Sequence, residues 1–198
     1  LTGCSVGDDG AEALARALRR GLELEELSLE ACEVTPAGCE VLSRALAGKR
    51  LSRLSMRAND IGDEGCRALA GCSEDLDLSA TDLGPSGLAA LARQPLTSLE
   101  LFNSPKLGMS VGEWVAATSS SDWPELRHFD MSCCGLGNEG FRILCSKLAD
   151  HADIMPKLET LCLGGNDVDD NEESASHALS ERLTDARGGR LRAVWRNG

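Results

Sequence analysis

The stretch Leu27–Leu46 reads LSLEACEVTPAGCEVLSRAL. Its opening alternates: Leu27 and Leu29 flank Ser28, the period of a short strand with one buried face. Its close places Val41, Leu42, Ala45 and Leu46 at three- and four-residue spacings, the period of an amphipathic helix. Cys32, Val34 and Gly38 lie between. A strand, a turn and a helix in so short a piece cannot bury their own apolar faces. They need neighbours of the same kind to stack against.

The rest of the chain supplies those neighbours. Leu54-Ser-Met56-Arg-Ala-Asn59-Asp-Ile61 is followed by Gly65 and Leu69. Leu76-Asp-Leu78-Ser-Ala-Thr81-Asp-Leu83 is followed by Gly87 and Leu91, and Phe129-Asp-Met131-Ser-Cys-Cys134-Gly-Leu136 by Gly140 and Leu144. Leu161-Cys-Leu163-Gly-Gly-Asn166-Asp-Val168 keeps the plan, with Glu172 where glycine stood. Leu99-Glu-Leu101 is a further copy, with Pro105 and an extra residue in its turn. Successive first leucines (Phe129 in one unit) are spaced 27, 22, 23, 30 and 32 residues apart, a solenoid period. The Asn or Cys position can serve the buried backbone where each strand ends. Asn does so through its amide, and Cys and Thr are smaller substitutes. The glycines are read as marking the strand-to-helix turn. Cys4, Val6, Gly10, Leu14 and Leu18 form the second half of a preceding unit, and Leu191-x-x-Val194 begins a following strand.

These Leu-x-x-Leu-x-Leu-x-x-Asn/Cys-x-Leu-x-x-x-Gly units are best developed at Leu24–Leu46 and Leu51–Leu69. They resemble the leucine-rich repeat superfamily and, within it, the ribonuclease-inhibitor-like class, over essentially the whole chain. The resemblance implies an α/β solenoid with about six full repeats plus partial ends. Parallel strands would line its concave face and helices its convex face, as one domain over residues 1–198. It also implies protein partners on the concave face. The expected function is a non-catalytic interaction module, an accessory or scaffold subunit of a larger assembly. The class includes inhibitors of basic ribonucleases and activators of small GTPases, so the alternative is a regulator of an enzyme.

Composition narrows the partners. The net charge of −12 disfavours nucleic acid and anionic membrane, and suits basic surfaces. No apolar run approaches the ~20 residues of a membrane span. Aromatics are 3% of the chain, so its core is built from Leu, Ala, Val and Cys. Nine cysteines cannot all pair with one another, and they sit inside apolar patterns. They are read as reduced, buried thiols of an intracellular protein, in the cytoplasm or an organelle stroma. No targeting segment is visible. The sequence begins at Leu1, inside a repeat, and neither end carries a recognisable cap. Either the chain continues beyond these ends, or another chain covers one of them.

On such a horseshoe the residues between the buried strand positions point to the concave face. The candidate partner contacts there are Glu26, Glu30, Arg53, Arg57, Asp75, Asp77, Glu100, Phe102, His128 and Asp130. The competing expectation is that Arg53 and Arg57 are neutralised by Glu26 and Glu30 on one side and by Asp75 and Asp77 on the other. Phe102 is an aromatic on a face almost free of them, a candidate anchor. Two insertions lengthen the array, Thr118–Pro124 and Ala149–Pro156. Trp123 in the first is a candidate edge contact or a staple of its own loop, and Trp114 is placed on the convex side.

The same residues hold no recognisable site of chemistry. His128, Asp130 and Ser132 match a Ser/His/Asp set in composition, but neighbours on one strand face lie roughly 6.5–7 Å apart, too far for a triad. The cysteines lack Cys-x-x-Cys spacing and occupy repeat positions, so no metal site is expected. The acidic run Asp167–Glu173 lacks the glycine and glutamate of a calcium loop. No phosphate-binding glycine loop is present. No catalytic residue and no cofactor is expected.

Overall fold

A computed structural model describes residues 1–168 and 175–194. The acidic run read against a calcium loop and the Glu172 position lie wholly or largely outside the described residues. Seven short strands alternate with helices: β1 Glu26–Ser28, β2 Leu51–Ser55, β3 Ser73–Asp77, β4 Ser98–Glu100, β5 His128–Asp130, β6 Thr160–Cys162 and β7 Arg192–Val194. They form one parallel sheet in chain order, β1 to β7. The helices are α1 Gly7–Arg19, α2 Pro36–Ala45, α3 Gly62–Ala68, α4 Pro85–Leu91, α5 Pro105–Met109, α6 Val111–Ala117, α7 Gly137–Asp150 and α8 Ala175–Ala186. The expected α/β leucine-rich repeat solenoid is therefore present, and Leu191-x-x-Val194 does open onto a strand.

Register follows the leucines. Leu27, Leu54, Leu76, Leu99, Phe129 and Leu161 stand side by side across the sheet. All are buried, and so is the next rank inward, Leu29, Met56, Leu78, Leu101, Met131 and Leu163. Each unit donates one residue per rank, which makes one continuous core along the array.

The turn after each strand is the tightest part of the unit. Ala31, Ala58, Ala80, Asn103 and Cys133 occupy equivalent places with φ between 50° and 58°, and Gly165 follows at 67°. The next residue points inward and serves the turn. Asn59 Oδ1 accepts from the N–H groups of Cys32 (3.1 Å) and Val34 (2.9 Å), and its Nδ2 donates to the carbonyls of Leu29 (2.8 Å) and Met56 (2.7 Å). Asn166 repeats the set with Cys134, Leu136, Met131 and Leu163. Thr81 donates to the Leu78 carbonyl at 2.6 Å and makes no such four-bond set. Cys134 Sγ donates to the Leu101 carbonyl at 3.2 Å. The sequence reading of asparagine as the full partner and of Cys and Thr as lesser ones matches these bonds.

The repeat glycines have a different role from the one expected. Gly38 and Gly65 lie within helices rather than in a left-handed turn. A Cβ on Gly38 would sit 2.8 Å from Val34 Cγ1 and 2.4 Å from Asp8 Oδ1. One on Gly65 would meet Ile61 Cβ at 2.6 Å and Cys39 Sγ at 3.2 Å. Glycine is there because the residue four positions earlier, Val34 or Ile61, and side chains of the preceding helix together crowd the position. Asp8 uses that closeness. It accepts from the Thr35 N–H (2.9 Å), the Thr35 hydroxyl (2.6 Å) and the Gly38 N–H (3.1 Å), capping α2 from the preceding repeat.

The two insertions are stapled inward. Trp123 is 2% exposed, and its ring stacks on Phe129 at 6.2 Å between centroids. The Trp123 main-chain N–H donates to the Ala92 carbonyl at 2.6 Å. Asp122 closes the loop on the Ser119 N–H at 2.8 Å. Trp123 as an edge contact for a partner is thus corrected: the ring is core, because its large apolar area gains more inside the array than at the edge. Trp114 is also buried, on the helix side, and donates Nε1–H to the Leu107 carbonyl at 3.0 Å. The second insertion is held from outside by Arg187, just after α8, whose buried guanidinium donates to the carbonyls of Leu148, Ala152, Ile154 and Met155.

All nine thiols are free. Their expected uniform burial needs correction: Cys4 and Cys133 are exposed and Cys162 is half-buried. Cys133 lies at the left-handed turn, where the side chain points outward while Cys134 points in. Burial pushes the thiols of Cys39, Cys66, Cys134 and Cys145 up to about 12.

Three outcomes are expected from this architecture. Asn59→Ala leaves at least two buried N–H groups unpaired, and chemical denaturation should show a loss on the order of 3 kcal/mol, against about 1 kcal/mol for Thr81→Val. Asp8→Ala should cost about 1 kcal/mol at neutral pH. Burial raises the Asp8 carboxyl, but the bonds from Thr35 and Gly38 outweigh it and hold it below its ordinary 3.8. Its contribution is therefore full above that value and is lost as pH falls through the lower folded value, so the two proteins should converge in acid. Thiol titration of the native protein should find two fast groups, Cys4 and Cys133, and all nine only in denaturant.

Candidate functional site

Three ranks of side chains cover the concave face, because every second strand residue points there. The first rank is Glu26, Arg53, Asp75, Ser98, His128, Thr160 and Arg192. The second is Ser28, Ser55, Asp77, Glu100, Asp130 and Cys162. The third, held by main-chain bonds just past the strand ends, is Glu30, Arg57, Ser79, Phe102, Ser132 and Gly164. Every candidate contact read from the sequence, Trp123 excepted, falls in one of these ranks.

The charges do not pair as the sequence suggested. Arg57 meets Glu30 at 3.5 Å, as expected. Arg53 passes over β3 to reach Glu100 on β4, at 3.0 Å. Among the described residues no ion pair joins Arg53 to Glu26 or Asp75, or Arg57 to Asp77. Asp75 is held by the Thr97 hydroxyl at 2.6 Å. Asp77 is buried and accepts from the Ser55 hydroxyl (3.1 Å) and the Ser79 N–H (3.0 Å). The physical reason is side-chain size on β3. Asp77 and Ser79 are short and drawn inward, which opens a trough that the long arginines cross.

Arg57 crosses the same trough in the third rank. Its guanidinium lies 5.2 Å from the centroid of the Phe102 ring. Glu30, Arg57 and Phe102 are all half-buried. The cation therefore stacks on the ring face with its carboxylate partner on the other side, and each group fixes the next. The result is a preorganised aromatic and charged patch over β1 to β4. A half-buried ring on a face otherwise made of charges and hydroxyls offers apolar area, and Glu26, Glu30, Asp75 and Glu100 give the same half of the face its negative charge.

The other half of the face is different. Asp130 Oδ1 accepts from the Ser132 N–H at 2.7 Å, so Ser132 takes part through its backbone. His128, Asp130 and Cys162 bring an imidazole nitrogen, a carboxylate oxygen and a thiol sulfur within 4.8 Å of one another. His128 and Asp130 were expected to stand apart on one strand. Cys162, a concave-face position by its place in the repeat, is set opposite Asp130 by the strand register, and its meeting with these two was not anticipated. Its spacing of 32 residues from Asp130 carries no local signal; only alignment of the fifth and sixth units on their strand positions would have found it.

No helix among the described residues is long and apolar enough to cross a membrane.

Comparison with known proteins agrees with the geometry. A family model described as "Leucine Rich repeat" matches residues 1–15, 51–70, 74–92 and 125–144. The chain is 30% identical over 191 residues to human "NACHT, LRR and PYD domains-containing protein 14", a match that covers 83% of this chain and 16% of that protein. It is 30% identical over 149 residues to bovine "NACHT, LRR and PYD domains-containing protein 5", covering 73% of this chain and 12% of the relative. It is 32% identical over 165 residues to pig ribonuclease inhibitor, covering 82% of this chain and 32% of the inhibitor. The chain thus spans a third or less of the length of these relatives. Repeats of this period, ranked leucines, an asparagine-served turn and these similarities place the chain in the leucine-rich repeat family, in its ribonuclease-inhibitor-like class.

Proposed function

We propose that this chain is a non-catalytic protein-interaction module that docks a protein partner on its concave face, as an accessory or scaffold subunit of a larger assembly. The observation that carries the reading is the Arg57–Phe102 stack, held in place by Glu30 and flanked by the Arg53–Glu100 pair. Rigid aromatic and arginine groups lose little entropy on binding, and such groups dominate interface energies. The acidic surround and the net charge of −12 favour a partner with basic groups around an apolar contact. Nine free thiols suit a reducing compartment, the cytoplasm or an organelle stroma.

The test is native purification of the tagged chain from its source, with sizing and mass spectrometry of what accompanies it. A stoichiometric particle well above 20.9 kDa is expected. Phe102→Ala and Arg57→Glu should each weaken retention of the companions at least tenfold, as loss of an interface anchor does. Retention unchanged in both variants would remove the concave patch from the interface. Elution as a free monomer would remove the assembly reading.

A second reading, regulation of an enzyme, draws on the similarity to ribonuclease inhibitor. Acidity suits a basic enzyme. Inhibition of a basic ribonuclease by the purified chain, lost in Arg57→Glu, would favour it over the scaffold reading.

A further inference from the structure

The two halves of the concave face carry different chemistry. Over β1 to β4 the long side chains pair with each other. Over β5 and β6 three donors of three different kinds converge without an ion pair among them. His128 and Asp130 stand two apart on β5 and share its outward face, while Cys162 on β6 lies directly opposite Asp130. Their donor atoms all lie within 4.8 Å of one another, and all three residues are half-buried.

Zinc bonds of about 2.0–2.3 Å in a tetrahedral site put donor atoms roughly 3.3–3.8 Å apart. The three groups, within 4.8 Å of one another, stand at most about 1.5 Å from that, a closure that half-exposed side chains reach by small rotations. Imidazole, thiolate and carboxylate together match a borderline-soft divalent cation rather than calcium or magnesium, which take oxygen donors. The Ser132 N–H already fixes one oxygen of Asp130, the kind of outer contact that orients metal ligands. One thiolate and one carboxylate balance the charge of a divalent ion, with His128 neutral.

The surroundings are mixed in sign. Burial raises the Cys162 thiol first, and Asp130 and Glu100 raise it further, opposed by Arg192. Asp130 and Glu100 bring negative charge to the thiol, Glu100 being paired with Arg53, and Arg192 opposes them.

We propose that His128, Asp130 and Cys162 form a three-ligand site for a zinc-like divalent cation on the concave face, with a fourth position open to water or to a donor from outside. Coordination forms an Sγ–metal bond and releases the thiol proton to solvent. The site belongs to the chain alone, so it stands independently of any docking partner.

Cobalt(II) is the probe, because a thiolate ligand gives it a charge-transfer band and a tetrahedral site intensifies its visible bands. Titration of the chelator-treated chain should saturate at one equivalent, and zinc should displace the cobalt. Cys162→Ser should abolish the charge-transfer band. His128→Ala and Asp130→Asn should each weaken binding at least tenfold, with circular dichroism checking that the variants are folded. Cys4→Ser and Cys133→Ser, which remove the exposed thiols, should change neither band nor stoichiometry. Absence of a band at stoichiometric cobalt would overturn the proposal. So would a band that survives Cys162→Ser and disappears with Cys4 or Cys133, or one indifferent to both His128→Ala and Asp130→Asn.

Discussion

The inward-pointing residue after each strand holds this molecule together. A strand of three to five residues ends, the chain crosses into the helical half, and the crossing backbone is buried against its neighbours. Buried N–H and C=O groups need partners. Asn59 supplies four of them at once, two to the preceding repeat's N–H groups, one to its carbonyl and one to its own strand. Such a side chain joins units as well as closing a turn, so stability becomes a property of adjacent pairs rather than of single repeats. Thr81 reaches one carbonyl, and Ser104 Oγ is buried with no hydrogen-bond partner among the described residues. The helical half adds a second joint of the same kind, a carboxylate from one repeat capping the helix of the next, as Asp8 does for α2 and Asp63 for the Gly84 N–H at 2.6 Å.

A chain joined this way tolerates irregular units if their extra residues are tied down locally. The fourth unit splits its helix into α5 and α6, and α5 runs so close to the next turn that a Cβ on Gly108 would overlap the Cys134 carbonyl. The loop that follows is then fastened by Trp123 on Phe129. The fifth unit's insertion is gathered by Arg187, whose charge is met by a ring of carbonyl oxygens. Burial lowers the pKa of that guanidinium, with Asp153 opposing. One staple is aromatic and the other cationic, yet both fill the gap that an added loop opens beside a fixed core.

Most of what repeats could be read from the sequence. Leucine ranks, strand register, the three concave ranks and the asparagine turn all follow from aligning units on one another, since equal spacing means equal place. What failed to be legible depends on reach between units. Arg53 finds Glu100 two strands away because β3 carries short side chains, a fact about three units at once. Trp123 looked like an edge residue because its neighbours are polar, and nothing local says that its backbone turns left-handed and folds the ring inward. The repeat glycines sit beside a turn, so a conformational reading was natural; the cause is crowding by Val34 and Ile61, which only helix packing shows.

The division between what repeats and what does not also separates fold from function. The buried ranks accept only Leu, Met, Phe and similar residues, so they say the same thing in every unit. The outward ranks are free of that demand, and each strand places two or three side chains at fixed spacing beside those of its neighbours. Chemistry can then be assembled from residues far apart in sequence with no strain on the backbone. Arg57 and Phe102 meet across an intervening strand, and His128, Asp130 and Cys162 meet across two adjacent ones. These clusters involve residues that no repeat constraint requires, in contrast to Cys39, Cys66 and Cys145, whose packed thiols the core accounts for fully. On this face a departure from the repeat's bland serines is therefore the informative signal, and the two places where departures converge are the two places where binding is to be sought.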